Sequence, residues 1–458
     1  PKAERSELHE FTARGLDRRD GTDELVGYHF EQAFRYLTEL SGSDEHAQQL
    51  AQEGGERLGR AGIRAWKRAD APAAVNLLSR AVDLLPDANE FMCELGAALR
   101  ARNDLDRAEG VLLRASETSQ QATHLRARIE LSLVRSLREP DRAGELLEVA
   151  SAAIPPLEAA GDDRALGRAW LCIGYVKGGF YCQYAVMEES AARAATHYRR
   201  AGWSPSTALE NLGNALFYGP KPVESAIAQC DQLLLEHDGD RASHANIVVW
   251  QGGLEAMRGS FEEARALVAQ AKTIYHEFGL HTGAVDTCGR VLAAVELLAG
   301  RPEKAEEALR ESCELLQRLQ QTPLLATRAG ELAAAIYEQK RYEEAEQWTR
   351  LAQDSAGADD LDAAVSWQPV QAKILARRGA LVEAERLARE TIELIRRTDS
   401  VNRHAESLLA LSEVLHIAGR QEEAFAVVQE ALRLYDAKGN LVSAKRARAL
   451  LPDAALTQ

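Results

Sequence analysis

Long apolar runs, excess positive charge and paired cysteines are all missing from this 458-residue chain. Each absence excludes something. No apolar stretch approaches the roughly 20 residues of a transmembrane helix. The longest, such as Val291–Ala299, are broken by charge and belong to amphipathic helices. Lys and Arg number 55 against 70 Asp and Glu, a net charge of −15, so the basic face that nucleic-acid binding requires is absent. Neither nucleic acid nor a membrane is expected as a partner. The six cysteines (Cys93, Cys172, Cys182, Cys230, Cys288, Cys313) are scattered with no C-x-x-C pair. Buried free thiols in a reducing cytoplasm are the expectation. The N-terminus lacks the pattern of a secretory signal. The chain begins at Pro1 rather than Met, which suggests a piece of something longer.

Catalytic motifs are equally scarce. No G-x-x-x-x-G-K-[ST] loop is present, and the pairs Gly54–Gly55 and Gly178–Gly179 sit in helical context without a preceding strand. His276 and His281 are five residues apart with Gly279 between them, whereas the zinc-protease motif needs two His at i and i+4 on one helical face. They read as exposed imidazoles at a helix end. The acidic pairs Glu262–Glu263, Glu343–Glu344 and Glu422–Glu423 all fall just after inter-helix turns, where negative charge complements the helix macrodipole. No enzyme, metal or cofactor is expected of this chain.

What is present is a repeat. Residues 55–122 read as two 34-residue units: Gly62, Ala74, Leu78 and Ala81 return as Gly96, Ala108, Leu112 and Ala115, and Pro86 closes the first unit. Small residues at unit positions 8 and 20 let two antiparallel helices approach, and a bulky residue at position 24 fills the space beside them. The position-20 mark continues through Ala143, a blurred site near Ala185, then Ala226, Ala264, Ala305, Ala345, Ala384 and Ala424. Its spacing lengthens from 34 to about 40 residues. Gly259, Gly300, Gly379 and Gly419 fall at position 15, where a left-handed residue ends the first helix. Ser260 is placed to cap the helix that follows, and Pro302 suits a first turn. The predicted fold is an all-α solenoid of about ten helix-turn-helix repeats over residues 41–458. A charged helix at 441–450 covers its end, and residues 1–40 form junction or capping helices.

This pattern resembles the tetratricopeptide repeat, and the longer later units resemble those of large bacterial ATPase regulators, including the maltose-regulon activator. The resemblance implies a right-handed superhelix with a concave groove. No DNA-binding helix-turn-helix follows the repeats, as that activator type would carry. The run Leu25-Val-Gly-Tyr-His-Phe-Glu-Gln-Ala33 looks like the junction after the ATPase and winged-helix modules of bacterial signalling proteins. Those proteins join a class III nucleotidyl cyclase or other effector to a STAND-type ATPase and a repeat array. Residues 1–20 are then the end of the preceding module; a plain N-terminal capping helix pair is the alternative.

In tetratricopeptide arrays the groove is lined from particular first-helix positions. Carried over, these give Arg168 and Tyr175 in repeat four, whose register is ambiguous, and Asn211, Asn214, Phe217 and Tyr218 in repeat five. Repeat six contributes Asn246 and Trp250, and repeat seven Arg290. A peptide clamp would need Lys or Arg at position 2 or 5 of adjacent repeats, which Arg168 and Arg290 meet only loosely. The region 166–218 holds nine of the chain's 26 aromatic residues, about three times an even share. These aromatics read either as ligand contacts or as filling between long helices. Two functions follow. One is a non-enzymatic sensor and scaffold that binds a peptide, protein or small ligand in the groove and regulates upstream domains of the same polypeptide. The other is a structural self-assembly module.

Overall fold

The computed structural model describes residues 2–16, 23–41, 44–68 and 70–452. Among them every regular element is helical. The predicted break at Asp17–Asp23 lies outside the described residues except for Asp23, as do the last six residues of the chain. The helices are α1 (Lys2–Leu16), α2 (Asp23–Ser41), α3 (Glu45–Lys67), α4 (Ala71–Leu84), α5 (Asn89–Ala101), α6 (Leu105–Ala115), α7 (Gln121–Ser136) and α8 (Ala143–Ala160). There follow α9 (Asp163–Gly179), α10 (Tyr184–Arg200), α11 (Ser206–Tyr218), α12 (Val223–Glu236), α13 (Arg241–Arg258), α14 (Phe261–Glu277) and α15 (Cys288–Leu298). The last are α16 (Pro302–Arg318), α17 (Thr322–Glu338), α18 (Tyr342–Ser355), α19 (Leu361–Arg377), α20 (Leu381–Ile395), α21 (Val401–Ile417), α22 (Gln421–Lys438) and α23 (Leu441–Arg448). The chain forms two compact units, Pro1–Arg135 with Pro155–Ala165, and Ser136–Ile154 with Leu166–Gln458.

Short polar residues start several helices. Asp44, Asp70, Asp240, Asp360 and Asn440 each accept a backbone N–H three residues on, satisfying one of the donors that a helix N-terminus leaves open. Gly259, Gly300, Gly379 and Gly419 have φ of +98°, +76°, +86° and +79°, as the turn position requires. Pro302 opens α16 as expected. Ser260 stands at the N-cap of α14, but its hydroxyl makes no capping bond and only its carbonyl serves, accepting from Ala264 N at 2.9 Å. At the equivalent turns of two other repeats the left-handed position is held by Asn103 and Lys340, at φ +60° and +63°.

The close helix contacts differ in detail from the spacing argument. A Cβ on Gly62 would lie 2.7 Å from Leu78 Cγ, and one on Gly96 would lie 2.4 Å from Leu112 Cγ. The glycine therefore makes room for the position-24 leucine, while Ala74 and Ala108 are buried beside it. The blur near Ala185 has a physical cause: Ala185 is exposed. The contact there is made by Met187, seated on Gly178: a Cβ on Gly178 would lie 2.3 Å from the Met187 Sδ. The glycine stays on the first helix and the large residue on the second, as in the regular repeats, but the pair lies at a different register.

In the first unit α1 and α2 pack together and α2 packs on α3. Val26, Phe30 and Leu50 form their core, and the Ser6 hydroxyl donates to Ala33 O at 2.8 Å. In the second unit the first helices of successive repeats touch each other, α11 on α13, α13 on α15, α17 on α19 and α19 on α21. They make an inner layer, and the second helix of each pair packs outside it. Two predictions follow from the turns. Lys340→Gly should raise the unfolding free energy by about 0.5–1 kcal/mol, because glycine removes the left-handed strain. Gly419→Ala should lower it by about 1 kcal/mol, both read by chemical denaturation.

Candidate ligand site on the inner face of the second unit

The inner layer of the second unit carries charge where a helix interface normally carries alkyl groups. Arg290 of α15 donates through Nε to Glu331 Oε1 of α17 at 3.0 Å. Arg403 of α21 donates to the same oxygen at 2.7 Å. Both guanidiniums also lie 3.4 Å from the Asp362 carboxylate at the start of α19. Arg328 of α17 grips Asp286 with two bonds, 2.7 and 3.0 Å, and the Ser312 hydroxyl donates to Asp286 at 2.5 Å. Asp286 lies in a π-helical turn, Gly283–Thr287, just before α15. Such turns re-aim side chains that a regular helix would direct elsewhere.

Three guanidiniums thus meet three carboxylates in a buried lattice. Charges of either sign alone would be too costly to desolvate here; paired and hydrogen-bonded they are tolerated. Burial by itself would raise the Glu331 carboxyl, but Arg290, Arg328 and Arg403 hold it down at about 2. Asp360, which caps α19, lacks such neighbours. Burial pushes it up to about 8 even though the amides of Ala363 and Asp362 favour its charged form.

Aromatic rings complete the lattice. Tyr218 at the end of α11 takes Arg290 on its ring at 4.5 Å and Arg403 at 5.4 Å. It stacks on Tyr184 at 5.5 Å, and Phe217 and Trp250 stand at 4.6 and 6.0 Å. Of the residues chosen from the sequence, Phe217, Tyr218, Trp250 and Arg290 therefore come together in one cluster. Asn246 is bound to its own neighbours, donating to Ser206 O at 2.7 Å and accepting from the Tyr275 hydroxyl. Asn211 donates to Leu171 O at 3.5 Å. Tyr175 packs edge-on to Phe180 at 5.6 Å, and Arg168 is buried in the same helix, α9. Trp170 and Trp203 belong to a separate apolar cluster with Leu171 and Tyr198.

Several buried polar atoms on this face have no hydrogen-bond partner: Asn214 Oδ1, Trp250 Nε1, Glu331 Oε2, Arg328 Nη1 and Arg403 Nε. Arg328 Nη1 and Glu331 Oε2 face each other at 3.6 Å, a gap that suits a bridging polar atom better than a direct bond. Glu406, one turn along α21 from Arg403, is exposed. Its carboxyl is nevertheless raised by desolvation, with Arg403 and Lys373 opposing.

Arg328, Glu331, Asp362 and Arg403 were missed in the sequence reading. Glu331 had a signal: it follows Arg290 by 41 residues, one later repeat, and falls on a groove position if the register is carried one repeat further. Asp362 and Arg403 sit at helix starts, where charge ordinarily means capping. The arrangement offers fixed donors and acceptors beside aromatic faces, and no activated nucleophile. The six cysteines are free and buried, and burial pushes Cys230, Cys288 and Cys313 up to about 12. His276 and His281 are both exposed, with ring centroids 6.2 Å apart. Among the described residues no three His, Cys, Asp or Glu side chains converge to hold a metal ion. No described helix is long and apolar enough to cross a membrane.

A tetratricopeptide repeat model matches residues 60–122, the regular stretch that supplied the register. No curated protein is similar to the chain. Among solved structures, the crystal structure of the yeast Tom70 aligns with 98% of this chain and 96% of its own at 12% identity and a TM-score of 0.36. The matched repeat and the helical pairs describe an α-solenoid with a tetratricopeptide region, a scaffold suited to protein interaction.

The lattice makes two predictions. Arg290→Met leaves Glu331 and Asp362 short of a cation and should cost about 3–5 kcal/mol in chemical denaturation. Adding Glu331→Leu leaves two guanidiniums against two carboxylates and should recover most of that loss. The pH profile of stability should bend in two places. Glu331 sits below its ordinary value of 4.5, so its contribution is present above roughly pH 4.5 and lost as pH falls toward 2. Asp360 sits above its ordinary value of 3.8, so stability falls as pH rises toward 8, and Asp360→Asn should flatten that arm in thermal melts.

Proposed function

We propose that this chain is a non-enzymatic cytoplasmic sensor and scaffold. Its inner face in the second unit receives a peptide, a protein segment or a small polar ligand. The occupancy is passed to an attached signalling module of the STAND-ATPase or nucleotidyl cyclase kind, formed by upstream domains of the same polypeptide. The observation that carries this reading is the set of buried polar atoms without partners on one face, Asn214 Oδ1 and Trp250 Nε1 beside Glu331 Oε2 and Arg403 Nε. Buried polar groups are normally satisfied, because an unmet donor or acceptor costs about 1–3 kcal/mol. A ligand backbone or polar group supplies the missing partners, and Phe217, Tyr218 and Trp250 supply apolar contact. Glu406, one turn along α21 from Arg403, is exposed to solvent.

Thermal-shift and calorimetric titration of the chain against peptides, sugars and nucleotides tests this. The expected result is a ligand whose binding is lost in Asn214→Leu while the melting temperature of the free variant holds or rises. Silence across the panel, together with unchanged ATPase or cyclase output when the repeats are deleted from the parent protein, would sink the reading.

A second reading, self-assembly, is favoured by one feature of the first unit. Leu8 and Phe11, one turn apart on α1, are 64% and 78% exposed. An apolar pair so exposed suits a docking face. Light scattering of the chain and of Phe11→Glu separates the readings: assembly predicts a dimer that the substitution dissolves.

A further inference from the structure

The second unit closes on itself, and the closure is polar. Four groups from its later repeats cap helix ends in its earlier ones, across 148 to 222 residues of sequence. Asp399 accepts from the Tyr184 and Ala185 amides at the N-terminus of α10, both at 2.7 Å. Lys438, 0% exposed at the end of α22, donates to Leu216 O, Gly219 O and Lys221 O at 2.9, 2.7 and 2.8 Å. Arg446 of α23 donates to Leu297 O and Leu298 O at the end of α15, at 3.0 and 2.8 Å. Ser400 donates to Tyr218 O at 3.5 Å. The charged caps have the sign their helix end favours: a carboxylate on open amides, cations on open carbonyls. Lys438 in particular meets three acceptors with three N–H donors and leaves none over.

Most of the apolar packing lies to either side of this joint, and Val365 and Ile395 are the buried residues that cross it. One cluster gathers the buried side chains of α10–α15, from Cys182 to Val295, with Val365 and Ile395 as the additions from later helices. Another gathers α19–α23, from Ala372 to Leu451. A third, spanning Ala293 to Ile374, lies on the α16–α18 side. Between the first two run Lys438, Asp399, Arg446 and Arg403 on Tyr218. The contact of Asn440 Nδ2 with Asn402 Oδ1 at 3.2 Å lies beside them.

We infer that α21–α23 act as a latch: the second unit opens along this polar seam, with α16–α18 as the hinge side, and opening bares the inner face. An interface held by hydrogen bonds and charge exchanges its partners for water at low cost, whereas a continuous apolar core does not. Opening would part Arg403 from Tyr218 while leaving Arg290 on the same ring. The inference concerns the free chain and needs no ligand, so it stands or falls apart from the proposed sensor role.

Hydrogen exchange by mass spectrometry on the full chain tests it. In Lys438→Met, peptides covering 216–223 and 436–448 should exchange about tenfold faster, with Pro302–Ser355 in α16–α18 unchanged. If both stretches keep their wild-type rates, the latch is overturned. It is overturned equally if all of the second unit speeds up together, because the seam then belongs to one cooperative core. Arg446→Ala removes an exposed cap and cannot abolish folding through a buried cavity. Should Lys438→Met fail to fold, Arg446→Ala decides, with faster exchange confined to 297–300 and 441–448 supporting the latch and no change overturning it.

Discussion

The second unit depends on the neutralisation of three buried guanidiniums by three buried carboxylates around the ring of Tyr218. Arg290, Arg328 and Arg403 arrive from three different helices, as do Asp286, Glu331 and Asp362. None of them is tolerable without a counter-charge, since an uncompensated buried charge costs several kcal/mol. In the closed unit the lattice therefore ties α15, α17, α19 and α21 to one another beside the Tyr218 ring of α11. It also makes the inner face directional: donors and acceptors are held at set positions beside aromatic rings, and some are left unmet. A face of alkyl groups would pack more firmly and recognise less.

The same preference for polar joints appears at helix ends. Several helix starts are capped from their own sequence, as by Asp70 or Asp240. At α10, α11 and α15 the cap comes from far away in sequence, from Asp399, Lys438 and Arg446. Burial pulls the Lys438 ammonium down to about 7, with Glu188 opposing and Lys221 adding to the shift. Long-range caps bind the unit together where its apolar packing crosses only through Val365 and Ile395 among the buried residues of the α10–α15 cluster. That separates two roles that usually coincide in a small domain, holding the fold and filling its core.

Much of the architecture was legible in the sequence because it is local. The position-20 alanines are buried from Ala74 through Ala424 wherever the register is clean, and the turn glycines take the left-handed conformation their spacing implies. The register failed at Ala185, where Met187 on α10 takes the contact and Gly174 and Gly178 on α9 yield the space. The site was legible in part. Phe217, Tyr218, Trp250 and Arg290 share a face because helical periodicity places them there. Their ionic partners could not be read, since Asp362 and Arg403 meet Arg290 and Tyr218 only through the winding of the solenoid. Lys438 lay beyond reach for the same reason: a lysine at a helix C-terminus is ordinarily solvated, and its carbonyl partners are more than 200 residues away.

The central claim is that the inner face is closed by a seam weaker than the cores on either side. Native-state hydrogen exchange of the unaltered chain at rising denaturant measures this directly. The account predicts that the amides of Tyr184 and Ala185, and those of 438–442, exchange through an opening with a smaller free energy and a smaller denaturant dependence than the α17 amides. Identical free energies and slopes for both sets would contradict it.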